Sequence, residues 1–221
     1  FISMNANTTG IENTAVGSYS SWHNTTGGQN TAVGAFTLEA NTTGSSNSAF
    51  GFHSLEDNTT GTDNLAFGVG ALYNNKANSG SIAIGTSSMF YADSRTTGRI
   101  TGNTAVGYQS LMGSTTAANN TGQNNTALGY QSLASNTTGS SNTAIGYSAM
   151  SSSSTYSNST ALGYNAQVTA SNQIQLGDAN ITDVKTSGKF TAGSVTYPST
   201  HGTANQVLTT TGSGTLTWST P

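Results

Sequence analysis

The feature that most constrains this chain is the spacing of its glycines. Every Gly that follows a Val, Ile, Leu or Phe in the context Asn-Thr-Ala-Val-Gly falls on a timetable: Gly17, Gly34, Gly51, Gly68, Gly85, Gly107, Gly129, Gly146, Gly163 and Gly177. The intervals are 17, 17, 17, 17, 22, 22, 17, 17 and 14 residues. A period just below about twenty residues is the mark of a solenoid, in which each repeat is one coil that buries its apolar face only against the coils above and below. The fold expected is therefore all-β, a β-solenoid of 17-residue coils.

Composition fits that expectation and little else. Only 33% of the 221 residues are hydrophobic and 6% charged, against about 45% and 25% in ordinary globular chains. Such a chain would be read as disordered, but disorder does not require an aliphatic residue at a fixed interval. The five basic residues, Lys76, Arg95, Arg99, Lys185 and Lys189, form no patch in sequence, and the net charge is −3, so nucleic acid is not an expected partner. There is no cysteine, hence no disulfide framework and no thiolate metal site. No apolar run approaches the eighteen or so residues of a membrane span, and membrane insertion is not expected of this segment. Asn7 to Gly10 already matches later repeats, as expected of a piece of something longer.

Within each coil, Asn-Thr-Thr-Gly recurs seven residues ahead of the anchor glycine, at Asn7, Asn24, Asn41, Asn58 and Asn136. This reads as a turn, with Asn tolerating left-handed dihedrals and Gly taking positive φ. A second Asn stands four residues before the anchor, at Asn13, Asn30, Asn47, Asn64, Asn103, Asn125 and Asn142, and predicts an asparagine ladder up the stack. The three residues that follow alternate, as in Thr31, Ala32 and Val33, so they form a short strand with Ala32 and Val33 on opposite faces. A second large apolar residue comes four places after the anchor, as Leu38, Leu55, Leu72, Met89, Leu111, Leu133 and Met150. One coil is thus expected to hold two short strands, two turns and two large inward residues. The alanine column, Ala15, Ala32, Ala49 and onward to Ala161, reads as a smooth second face for close approach of another chain.

The Asn-Thr-Ala-Val-Gly and Asn-Thr-Ala-Ile-Gly motifs, with Ser-Leu or Ala-Met following, resemble the head repeats of trimeric autotransporter adhesins and the related repeats of phage tail fibres and bacterial surface fibre proteins. The resemblance spans Asn7 to Asp178. It implies a left-handed parallel β-roll and an intertwined homotrimer. The residue before each anchor, Val16, Val33, Phe50, Phe67, Ile84, Val106, Leu128, Ile145, Leu162 and Leu176, would fill the coil interior. It also implies an extracellular, cell-surface or virion-surface location and a role in attachment to a host-cell, glycan or other surface receptor. The chain divides accordingly into head repeats over residues 1-178 and a neck-like or connecting β segment over 179-221. In the latter, Phe190 to Tyr197 reads as a strand and Gln206 to Ser219 as a hairpin, while Lys185 to Lys189 reads as a turn.

Chemistry is sparse. The three histidines, His23, His53 and His201, have no local partners of the kind nucleophilic catalysis needs, so neither an enzyme nor a cofactor is expected. Glu39, Glu56, Asp57 and Asp63 form the acidic cluster; Glu39 and Glu56 lie one period apart, which is either a solvated edge or a weak candidate for a bridging cation. The Asn-Thr-Thr stretches match glycosylation sequons by pattern. Thr25, Thr42 and Thr59 with Thr26, Thr43 and Thr60 form ranks that could instead bind ice, the alternative function. The two long intervals insert residues within Phe90 to Thr101 and Met112 to Asn120, expected as loops on one side. The first, with Tyr91, Asp93, Arg95 and Arg99, mixes aromatic and charged groups as contact surfaces do; packing against a neighbouring chain is the other reading.

Overall fold

A computed structural model describes residues 2–185, 187, 190–192, 195–198, 202–210, 212, 213 and 215–221, without the side chains of 190–192 and 195–197. Lys189 and His201 lie outside the described residues, as does part of the turn read at Lys185 to Lys189.

Ten three-residue strands stack in sequence order into one parallel sheet: β1 (Thr14–Val16), β2 (Thr31–Val33), β3 (Ser48–Phe50), β4 (Leu65–Phe67), β5 (Ile82–Ile84), β6 (Thr104–Val106), β7 (Thr126–Leu128), β8 (Thr143–Ile145), β9 (Thr160–Leu162) and β10 (Ile174–Leu176). Each pairs with the next in the register the repeat dictates, Ala32 opposite Ala49 and Val33 opposite Phe50. The chain is the β-solenoid that the glycine period predicts, and the coils are numbered here by their strands. This unit runs to Asn180. In the second unit, β11 (Phe190–Ala192) pairs antiparallel with β12 (Val195–Tyr197), and β13 (Val207–Thr210) with β14 (Leu216–Ser219). The segment read as one strand over Phe190 to Tyr197 is thus a hairpin, and the Gln206 to Ser219 hairpin forms as expected.

The faces of the strands are reversed from the expectation. Ala32, Ala49, Ala66, Ala83, Ala105, Ala127, Ala144 and Ala161 are fully buried, whereas Val16 is 57% exposed, Phe67 55% and Leu128 45%. Val33, Phe50, Ile84 and Val106 are half-buried, and Ile145, Leu162 and Leu176 are exposed. The residues before the anchor glycines therefore do not fill the coil, and the alanines are core rather than a face for another chain. The reason is width. Leu38, Leu55, Leu72, Leu133 and Met150 enter from the opposite wall with no exposure at all, and a coil this narrow leaves room across from them for a methyl group only.

Nor does the second apolar residue sit on a strand: among the described residues each solenoid coil has one. Leu38, Leu55 and Leu72 adopt φ of 51°, 52° and 54°, left-handed bends that cost an L-residue about 1–2 kcal/mol. The residue two places after the anchor, such as Phe36, and the one five places before it, such as Gln29, bend the same way, with φ of 55° and 60°. The Asn-Thr-Thr-Gly segment, by contrast, contains no residue of positive φ from Asn24 to Gly61. Its glycine is required by crowding: a Cβ on Gly27 would lie 2.2 Å from the carbonyl oxygen of Gly44 in the next coil.

Two columns of asparagine tie the coils together. In the expected one, Asn47 Nδ2 donates to Asn30 Oδ1 at 3.1 Å and Asn64 Nδ2 to Asn47 Oδ1 at 3.1 Å, and each Oδ1 also accepts the next Asn backbone N–H. The turn asparagines form a second ladder, with Nδ2 of Asn24, Asn41, Asn58 and Asn75 donating to the Oδ1 one coil back at 3.0, 2.8, 2.9 and 3.0 Å. That column lapses at the long coils, where Ala92 follows Asn75 by one 17-residue step, and its asparagine recurs only at Asn136, whose Nδ2 donates within its own turn to Gly139 O at 3.0 Å. It ends there because Ser153 stands at the next position. Asn136 Oδ1 and Ser153 Oγ are both buried without a hydrogen-bond partner.

Two substitutions test this account. Gly51→Ala combines a φ of 130° with a Cβ placed 2.6 Å from Gly68 O, and is expected to lower stability by about 2–4 kcal/mol in chemical denaturation. Ser153→Asn supplies the missing donor to Asn136 Oδ1, and is expected to raise stability by about 1 kcal/mol.

Candidate functional site

The long coils are where the repeat departs from its own pattern. The first inserted segment leaves the stack after Tyr91 and rejoins it at a parallel bridge between Ser79 and Ile100. The second contains a short 3₁₀ turn, Ala117–Asn119, and Asn120 ties it to the first, Nδ2 donating to the carbonyl oxygen of Tyr91 and, at 2.8 Å, to that of Ser114. The two insertions are therefore one composite surface, a contact that sequence reasoning missed because nothing in Asn120 distinguishes it from other loop asparagines. Behind them lies a cavity of about 30 Å³ lined by residues that include Asn75, Asn78, Asp93, Asn103 and Leu111. That is room for about two waters and for no larger ligand.

The structure brings three of the four candidate loop residues together. Asp93 is buried, and its carboxylate accepts Arg95 Nε at 2.9 Å and Nη2 at 2.6 Å, with Arg99 Nη2 3.0 Å away. Burial pulls the Arg99 pKa down, with Asp93 opposing, while the hydrogen bond to Asp93 raises that of Arg95. Tyr91 faces Phe90 edge-on at 4.9 Å, and Phe90 stacks on Tyr73 of the preceding coil at 4.8 Å.

The acidic cluster is placed differently. Glu56 pairs with His53, Asp57 Oδ2 accepts Asn74 Nδ2 at 3.2 Å, and among the described residues no three His, Cys, Asp or Glu side chains come together to hold a metal. His23 Nδ1 lies 3.1 Å from the carbonyl oxygen of Glu39. The first threonine rank is occupied internally, Oγ1 of Thr25, Thr42 and Thr59 donating to the next coil's carbonyl at 2.9, 3.0 and 2.9 Å, which leaves Thr26, Thr43 and Thr60 exposed. The sequon asparagines Asn24, Asn41 and Asn58 are at most 1% exposed with both amide protons used in the stack, so these three offer no amide for a glycan.

The outer face of the sheet was not anticipated. Beside the outward apolar row, Tyr108, Tyr130, Tyr147 and Tyr164 stack in successive coils with ring centroids 5.3, 4.9 and 5.4 Å apart and near-parallel planes. All four are exposed. The sequence signal was available, a Tyr directly after each of four anchor glycines. Comparison with family models, with curated proteins and with solved structures finds no match.

Glu56 gives a test of the His53 corner. Its pKa is raised, by burial first, with His53 pulling the other way and Glu39 and Asp57 adding to the rise. A carboxyl that holds its proton more tightly in the fold adds stability as pH falls toward its unfolded value and loses it as pH rises through the folded one. Glu56→Gln is therefore expected to melt above the parent at pH 7 and to converge with it at about pH 4.5; a pH-independent difference in melting temperature would contradict this.

Proposed function

We propose that the solenoid is the head segment of a trimeric surface fibre, an adhesin or tail-fibre-like protein in which three left-handed rolls associate along one axis and the long-coil loops make attachment contacts. The observation that supports this most is the outward apolar row. Ten apolar side chains from Val16 to Leu176 stand in register on one face, none of them buried, over a stack about 43 Å long at about 4.8 Å per strand. A contiguous apolar strip of that length calls for cover. A second and third copy supply it with the same strip, since identical rows meeting around an axis match coil for coil. The tyrosine column beside the row suits the margin of such an interface, where aromatic residues with a polar tip are favoured.

The exterior location follows from the fibre assignment alone. Ice binding, the alternative, has one outward threonine rank to work with rather than two. The insertions lie in coils six and seven, near the middle of the stack, and carry the charged and aromatic groups suited to a receptor.

Light scattering tests the assembly: the chain is expected at three times its 22.4 kDa. Replacing Leu128 and Ile145 together by Lys is expected to release soluble monomer with its β-type circular dichroism intact. A parent protein that is monomeric at micromolar concentration would overturn the trimer, and inhibition of ice recrystallisation by that monomer would favour the alternative.

A further inference from the structure

The sixth-coil loop contains one buried carboxylate shared by two guanidinium groups, one bound through several hydrogen bonds and the other through a single ion-pair contact. Asp93, its side chain 2% exposed, is taken by Arg95 through Nε at 2.9 and 3.0 Å, through Nη2 at 2.6 Å, and through the Arg95 backbone N–H at 3.2 Å. Arg99 Nη2 approaches Asp93 Oδ2 at 3.0 Å but is not aligned to donate, and neither it nor Arg99 Nε has a hydrogen-bond partner. Nε and Nη2 form the edge of a guanidinium that binds a carboxylate through two parallel bonds. A second, incompletely engaged fork therefore sits against a carboxylate already held by a neighbour.

This arrangement makes Arg95 releasable. Breaking a buried ion pair ordinarily costs several kcal/mol because the remaining charge is left bare. Here Arg99 is in place to close on Asp93 as Arg95 leaves, so the carboxylate keeps a cation throughout. Arg95 is the more exposed of the pair, with 45% of its side chain accessible against 23% for Arg99. The exposed Thr96 and Thr97 follow it directly and offer hydroxyls.

We propose that the loop is a carboxylate-binding site for an acidic polysaccharide, in which Arg95 leaves Asp93 to grip a uronate group and Arg99 takes its place. The proposal rests on the reading of the long coils as the contact region and gives that region a ligand class. Arg95 is the binding residue; Arg99 is a positioning residue that acts through Asp93. Threonine hydroxyls beside a single fork suit a sugar acid better than a densely sulfated or phosphorylated chain, which would need several free cations at once.

The test is binding of the whole chain to immobilised polygalacturonate, with dextran sulfate and neutral dextran alongside, in about 0.15 M salt. The parent is expected to bind polygalacturonate in preference to both others, and Arg95→Gln to weaken binding by about tenfold or more. Arg99→Gln should weaken binding several-fold by leaving Asp93 dependent on Arg95, and Asp93→Asn should strengthen it by freeing Arg95. The double variant Asp93→Asn with Arg99→Gln, which buries no unpaired charge, should recover what Arg99→Gln loses. A general electrostatic patch would instead make every lost cation weaken binding regardless of Asp93, and the absence of rescue in the double variant would overturn the exchange. Preference for dextran sulfate, or indifference to Arg95→Gln, would overturn the ligand class. Scattering mass separates the two readings: a trimer that ignores polygalacturonate removes this site alone, and a monomer that binds it removes the trimer alone.

Discussion

Hydrogen bonding between successive coils is the interaction on which everything else in this protein depends. A coil closed around alanine methyls and one leucine or methionine has little apolar surface to hide, and it bends through several left-handed residues that are not glycine. The compensating bonds run up the stack. Backbone amides donate one coil onward, as Thr31 N to Asn47 O at 2.8 Å, or one coil back, as Gly34 N to Val16 O at 2.8 Å, and the two asparagine columns repeat the arrangement with side-chain amides. Asparagine suits the role because it carries two donors and an acceptor on a short stem, so one residue can bond its own turn and the neighbouring coil together. The glycines serve the same end by removing the Cβ atoms that would hold the coils apart.

Much of this was legible in the period alone. A glycine every seventeen residues with an asparagine four places ahead could hardly be anything but stacked coils with a ladder, and the register of all ten strands follows from aligning the repeats. What the sequence did not reveal was the sense of the strand. Ala32 and Val33 are both apolar, alternation says only that they face opposite ways, and the usual preference puts the larger one inside. Coil width decides otherwise, and width depends on how Leu38 enters from the far wall through a bend at φ of 51°, a conformation that leucine gives no reason to expect. The Asn-Thr-Thr-Gly segment was misread for a related reason: its glycine looks like a bend and is in fact a contact. The loop was found by its break in phase, whereas the sharing of Asp93 between Arg95 and Arg99 depends on side-chain angles that no spacing encodes.

The long coils show what the ladder permits. Where the turn column lapses after Asn75, the other column is interrupted too: Ser81 N donates to Asn64 Oδ1 at 3.0 Å, but Ser81 Oγ meets Thr101 Oγ1 at 2.5 Å, and the side-chain ladder restarts with Asn125 Nδ2 on Asn103 Oδ1 at 3.3 Å. The backbone ladder keeps the register, Ile82 N donating to Asn103 O at 2.9 Å, while the other side of the coil opens into loops. Asn75 Oδ1 and Asn78 Oδ1 are left buried without partners there, a local cost that falls next to the loop carrying Asp93, Arg95 and Arg99.

The two faces of the sheet also differ in how tightly they are specified. The inward column is alanine from Ala32 through Ala161, and only the last coil departs from it, with the half-buried Gln175, whose Nε2 donates to Gly177 O at 2.8 Å and closes that end with a polar group. The outward column runs through Val, Phe, Ile and Leu without repeating a fixed order. Steric crowding explains the first: one added methylene has nowhere to go in a coil this narrow. The second keeps its apolar character while its shape varies. A face in contact with water alone would have no need to exclude polar residues at ten successive positions, whereas a face that meets a copy of itself needs them apolar and needs only that each coil match its own counterpart. Variation in shape with constancy in polarity is what a self-matching interface allows, and it separates this row from the alanine column, which geometry would hold constant in a monomer as well.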